Sequence, residues 1–277
     1  MGKFSVLMSV YKGDSEIFLR RALESISVDQ ILKPTQIVLV VDGPVSDKIL
    51  DIIMQFEKIV SDSIEFTLIK KEKNAGLAAA LNTGLSACHY DLVARMDSDD
   101  IALPHRFSCQ VDYMENHPET AVLGGNITEF EEDENIIVDR REVPAEHVDI
   151  IKMLKTRNPV NHMTVMYRKD IIEKVGGYCE NFGKLEDYKL WVDVVVNGYK
   201  IHNLQDNLVN VRVGNGFIER RSNKREIEDW DMLQKYLLSA NMITKRKAFK
   251  NKLYIRAFIY MPKWMKKIAY KTVLRKK

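Results

Sequence analysis

The segment Asp91-Leu-Val-Ala-Arg-Met-Asp-Ser-Asp-Asp100 ends an apolar run with three carboxylates in four residues. Asp97, Asp99 and Asp100 would repel one another unless a cation sat among them. Such hard oxygen donors suit Mg²⁺ or Mn²⁺, and these ions commonly hold phosphates. Asp42 closes a second apolar run, Gln36-Ile-Val-Leu-Val-Val41, just before Gly43-Pro44. Glu186 and Asp187 open a helical stretch. Steps of three and four from Asp187 reach Leu190, Trp191, Val194 and Val195, an apolar stripe. From Glu186 the same steps reach Lys189, Leu190, Asp193 and Asn197, a mostly wet face. The spacing therefore turns Asp187 inward as a candidate general base and leaves Glu186 as a first-turn acid favoured by the helix dipole.

Each group has a plainer alternative. Asp42 alone reads as a turn-former, and Asp100 as the helix-capping member of its cluster. His105 and Arg106 read as first-turn helix residues, with Arg106 either offsetting acidic charge or gripping a phosphate. His162 is more often structural than a metal ligand, and no Cys-rich or His-rich metal pattern accompanies it.

The elements that must carry these groups alternate. Apolar runs at 4–10, 36–42 and 91–97, together with the stretch 65–70, read as strands. Helices are expected from Ser15 to about Val28, from Ser46 to Val60, from Leu77 to Ala87 and from Pro104 to Asn116. This β-α repeat predicts an α/β fold: a Rossmann-like, mostly parallel sheet flanked by helices. Ligands of such sheets bind beyond the carboxyl ends of the strands, where Asp42 and Asp97 would meet. The second half is less regular. Strands are expected at 121–130, 136–140, 163–167 and 208–213, with helices at 145–156, 186–197 and 219–240.

Composition bounds the rest. The 277 residues carry a net charge of +3, but residues 244–277 hold thirteen Lys or Arg and no Asp or Glu. The first 243 residues therefore have 29 basic and 39 acidic groups, a net of −10. We expect a catalytic domain over 1–215 and a helical, basic extension over 216–277. The extension interleaves its charges with Phe249, Leu253, Tyr254, Phe258, Ile259, Trp264, Met265, Ile268 and Tyr270 at helical spacing. That mixture favours a membrane surface over packing on the body, and nucleic acid least. No run reaches the roughly 20 apolar residues needed to span a bilayer. Three scattered cysteines suit a reducing cytoplasm.

Together the motifs resemble bacterial family 2 glycosyltransferases, including those that assemble O-antigen and exopolysaccharide repeats. The matching pieces are Ser5-Val-Leu-Met-Ser-Val-Tyr11, Val40-Val-Asp-Gly43, Asn74-Ala-Gly-Leu-Ala-Ala-Ala-Leu-Asn-Thr-Gly84, Arg95-Met-Asp-Ser-Asp-Asp100, Pro104-His-Arg106, Gly176-Gly-Tyr178 and Glu186-Asp187. They stand in the family's order across residues 4–215. The resemblance implies an A-type nucleotide-sugar fold that binds a UDP-sugar and Mn²⁺ or Mg²⁺. It places Tyr11 and Asp42 at the uracil end, Asp97 and Asp99 as the Asp-X-Asp pair, and Asp187 or Glu186 as the base. Asp99 is the expected direct metal ligand, with Asp97 beside it. Asn74, Gly76, Arg95 and Arg106 fall within the nucleotide-binding motifs. No processive Gln-X-X-Arg-Trp signature occurs, which implies addition of one sugar, and the mechanism that the resemblance implies inverts the anomeric carbon. The implied acceptor is a polyprenyl-diphosphate-linked saccharide at the inner face of the bacterial inner membrane.

Two other readings compete. A sugar-nucleotide nucleotidyltransferase would also use carboxylate-bound Mg²⁺, but Tyr11-Lys-Gly-Asp-Ser15 is a poor phosphate loop. A non-catalytic membrane-binding protein with a vestigial site would not bind UDP.

Overall fold

The computed structural model describes residues 2–214, 225–262 and 265–266. Its first half is a run of parallel strands: β1 (Phe4–Val10), β2 (Gln36–Val41), β3 (Glu65–Lys70) and β4 (Leu92–Met96). Helices α1 (Glu16–Ser25), α2 (Asp47–Val60) and α3 (Leu77–Ala87) are the crossovers. β1, β2 and β4 are buried along nearly their whole length, as central parallel strands covered on both faces must be. The short β5 (Ile101–Ala102) and α4 (Arg106–Asn116) follow, then β6 (Thr120–Phe130) and β7 (Ile137–Arg141). The chain continues through α5 (His147–Leu154), β8 (Met166–Arg168), α6 (Lys169–Lys174), α7 (Glu186–Val196) and β9 (Lys200–Arg212).

These strands join one sheet in the order β3-β2-β1-β4-β8-β6-β9-β5, with β7 on β6. β8 runs antiparallel to both β4 and β6, and β9 is parallel to β6. The carboxyl ends of β1, β2, β4, β6 and β9 therefore share one edge. The apolar core splits into two layers. One face packs Leu19 of α1, Ile53 of α2 and Phe107 of α4; the other packs Leu81 of α3 and Trp191 of α7. The expected mostly parallel α/β sheet is the observed one.

Several boundaries move. Residues His162–Thr164 form a 3-10 turn, so only Met166 and Tyr167 of the expected 163–167 strand pair, and β8 ends at Arg168. β9 starts eight residues before the expected Leu208, because polar side chains fill the sheet near its start. Asn203 Nδ2, for example, donates to the carbonyls of Pro144 and Pro159 at 2.7 and 3.1 Å. α1 stops at Ser25, where the side chain folds back onto the Ala22 carbonyl. The C-terminal region supplies α8 (Arg225–Ser239) and α9 (Lys245–Tyr260). Leu233 and Leu237 of α8 share the core of α3 and α7. The start of the expected 219–240 helix, and Trp264, Ile268 and Tyr270, lie outside the described residues.

Candidate active site

The carboxyl edge of β2 is stitched to the loop before α3. Asp42 is buried, and its carboxylate accepts the N–H groups of Ala75 and Gly76 at 3.0 and 2.9 Å and pairs with Lys71 at 3.3 Å. Asn74 Nδ2 returns a bond to the Asp42 carbonyl at 3.0 Å. Two motifs 30 residues apart in sequence are thus one double loop. Gly43 has φ +86, and a Cβ there would come within 2.5 Å of the Asn74 nitrogen, so only glycine allows the approach. Tyr11 lies half-exposed at the end of β1, and its N–H donates to Asp14 at 2.9 Å.

The acid cluster follows β4. Asp97 forms a two-point ion pair with the buried guanidinium of Arg95. Asp99 has its carboxyl pushed up to about 6 by burial and by the charges of Asp97 and Asp14. Asp14, itself raised by burial, completes an acidic trio that no sequence argument had grouped. Its place four residues past β1, at the same edge, was the available signal. Asp100 is buried and accepts the Arg212 N–H at 2.9 Å. It therefore fastens β4 to β9 and caps no helix, since α4 begins after His105 without a side-chain cap. The Arg212 guanidinium lies between the rings of Phe18 and Phe130, at 3.8 and 4.4 Å.

Two residues expected at the nucleotide lie beneath the edge. Arg95 is 2% exposed and spends its charge on Asp97, so it positions that carboxylate from beneath. Arg106 is wholly buried under β4, where it donates to the Arg95 carbonyl at 2.7 Å and to Gln110 at 3.1 Å. Burial, then the Arg95 charge, lowers its pKa to about 9. It cannot grip a phosphate from there. His162 is structural: buried, 2.9 Å from the Tyr178 hydroxyl, and driven well below the usual histidine range by burial and Arg95.

A divalent cation fits the donor set. Asp97 is paired with Arg95, whereas the Asp99 carboxylate has no ion pair among the described residues and only its carbonyl accepts from Arg212, at 3.4 Å. The described residues contain no group of three acidic, His or Cys ligands able to enclose a metal alone. Asp99 and Asp97 would hold the ion together with phosphate oxygens and water, the usual mode for Mg²⁺.

The acidic pair of α7 overturns the helical-face expectation. Glu186 is 7% exposed, while Asp187 is only part-buried. The wet face assumed for Glu186 does not exist, because α8 covers it: Asp193 is buried, bonds the Tyr236 hydroxyl and pairs with Lys189 at 2.6 Å. Burial, then the adjacent Asp187 charge, raises Glu186 to about 8, and Asp97 adds to the effect. Asp187 accepts from Asn158 Nδ2 at 2.7 Å and from the Tyr188 N–H at 2.6 Å. The two neighbours therefore sit in different settings: burial and the adjacent charge favour the neutral form of Glu186, whereas Asp187 accepts two hydrogen bonds. Asn158, in the Asn158-Pro-Val-Asn-His162 loop, is a partner that spacing could not reveal.

An open sheet with carboxylates gathered at this edge defines an A-type nucleotide-sugar transferase fold, and the comparisons agree. The sequence pattern described as "Glycosyl transferase family 2" matches residues 5–176. The chain belongs to glycosyltransferase family 2. It is 40% identical to an "Uncharacterized glycosyltransferase" of Haemophilus influenzae, over 99% of this chain and all of that one. It is 35% identical to the "UDP-Gal:alpha-D-GlcNAc-diphosphoundecaprenol beta-1,3-galactosyltransferase" of Escherichia coli, over 99% of this chain and 97% of that one. Among solved structures, S. aureus TarS 1-349 superposes with a TM-score of 0.67 at 18% identity, covering 98% of this chain and 75% of that one.

Proposed function

We propose that the protein is an inverting, metal-dependent hexosyltransferase. It moves one sugar, glucose or galactose, from a UDP-sugar to a polyprenyl-diphosphate-linked saccharide. The reaction belongs to O-antigen or exopolysaccharide repeat assembly, and the protein is peripheral on the inner face of the bacterial inner membrane. The near full-length likeness to the galactosyltransferase of E. coli supports the donor and acceptor classes. The observation that supports the chemistry is the geometry of the acid pair, Glu186 buried and Asp187 part-buried with the Asn158 amide bonded to it at 2.7 Å.

Asp42 and the 74–76 loop bind the nucleotide end, with Tyr11 at the edge. Mn²⁺ or Mg²⁺ at Asp99 and Asp97 would neutralise the diphosphate of the leaving UDP. Asp187 takes the proton of the acceptor hydroxyl as that oxygen bonds to the anomeric carbon and the bond to UDP breaks. Attack from the face opposite UDP inverts the centre. Glu186, kept neutral, spares the site a second negative charge beside the base.

A UDP-release screen across UDP-glucose, UDP-galactose and their N-acetyl forms, with a lipid-diphosphate-GlcNAc acceptor, tests the reading. Release that needs the acceptor and stops in EDTA supports it. Full turnover in EDTA contradicts metal dependence, and no release from any UDP-sugar contradicts the donor class.

A further inference from the structure

Helix α9 is attached to the body by one face only. Ala248, Asn251 and Ile259 are buried, and Asn251 Nδ2 donates to the Gln234 side chain at 2.7 Å and the Lys155 carbonyl at 2.8 Å. The opposite face presents Arg246, Phe249, Lys250, Leu253, Ala257 and Tyr260, spaced by threes and fours and all exposed. Phe249 is 70% exposed, Leu253 58%, Tyr254 71% and Tyr260 66%. Large apolar groups rarely stand together in water without an occupant.

Charge selects that occupant. The 16 residues of α9 hold six Lys or Arg and no acid. Asp231 of α8 pairs with Lys252 and Arg256, on the flanks of the helix. Arg246, Lys247 and Lys250 have no carboxylate partner among the described residues. Protein interfaces deplete lysine, whereas anionic headgroups collect it around exposed aromatic side chains. The first 243 residues carry a net of −10 and are repelled by an anionic surface, so the basic helix must reverse that repulsion. No described helix is long and apolar enough to cross a membrane.

We propose that the outward face of α9 lies in the headgroup zone of an anionic bilayer, with Phe249, Leu253, Tyr254 and Tyr260 inserted and Arg246, Lys247 and Lys250 on the phosphates. This deepens the transfer reading by naming where a lipid-linked acceptor is met, although vesicle binding does not depend on turnover. The helix is one packing layer from the chemistry. Asp229 of α8 accepts the Lys184 N–H at 3.4 Å, two residues before Glu186, and Trp230 packs edge-on against Tyr188 at 5.8 Å.

The test is co-sedimentation of the full chain with phosphatidylglycerol/phosphatidylcholine vesicles and with phosphatidylcholine alone. Binding should favour the anionic vesicles at least tenfold and weaken in 0.5 M salt, roughly where screening reaches a few ångströms. Phe249→Glu with Leu253→Glu should lose at least tenfold, and Arg246→Glu with Lys250→Glu should lose the anionic preference. Both pairs should keep wild-type melting and UDP binding. Unchanged sedimentation of the variants overturns the proposal. So does a wild-type dimer that the Phe249→Glu pair converts to monomer, since the face would then bind a second copy. Loss of UDP binding in the wild type would count against the transfer reading and leave the docking result standing.

Discussion

Replacing Glu186 by Gln separates the two members of the acid pair. Burial and the neighbouring Asp187 charge push the Glu186 carboxyl up to about 8, so its neutral form is favoured at pH 7. Gln has that shape and charge. The raised pKa means the folded state favours the protonated form. This contribution is full below pH 4.5 and is lost as pH rises through 8. The shift corresponds to on the order of 4 kcal/mol at pH 9, which Glu186→Gln should recover. Melting of wild type and variant should coincide at pH 4. At pH 9 the variant should melt higher by about 8–16 °C, taking a few degrees per kcal/mol for a chain of this size. At pH 7 it should keep UDP binding and most of its turnover, whereas Asp187→Asn should lose roughly 10²–10⁴-fold in kcat. An inactive Glu186→Gln with no gain in stability at pH 9, alongside an active Asp187→Asn, would refute the assignment of roles.

Asn158→Ala removes the 2.7 Å donor from Asp187, so kcat should fall about 10–100-fold with KM for the UDP-sugar unchanged. Its acid limb in the pH–rate profile should move to higher pH, because an ionised base has lost a hydrogen bond. Gly43→Ala forces a Cβ to within 2.5 Å of the Asn74 nitrogen at φ +86, and chemical denaturation should register a loss of about 2–4 kcal/mol with weakened UDP binding. Asp99→Ala should be nearly inactive, and calorimetry should find that Mn²⁺ no longer tightens UDP binding.

β1, β2 and β4 were legible because each is an apolar run short enough for a buried strand and closed by a turn. Their carboxyl ends then placed Asp42 and Asp97 at one edge without further information. β9 was legible only from Leu208 onward. Its first half is polar, with Asn203 and Gln205 bonding main-chain groups of neighbouring loops, and a hydrophobicity pattern cannot see that satisfaction. The Glu186 side failed for a related reason. Periodicity assumes one wet face, and α8, more than 30 residues later in the chain, covers the face that looked wet. Arg106 was misplaced because its type suggests a surface or a phosphate. The fold instead needs a long donor to reach the Arg95 carbonyl beneath β4. The pairing of Asn158 with Asp187 is a tertiary contact across 29 residues and had no local signature.

The central claim is a single displacement with Asp187 as base, and the anomeric configuration of the product tests it most directly. Proton NMR of the disaccharide formed from an α-linked UDP-sugar, using the full-length protein, should show only the β-linkage. An α-linked product would contradict the account, because retention requires chemistry other than attack by a hydroxyl that Asp187 has deprotonated.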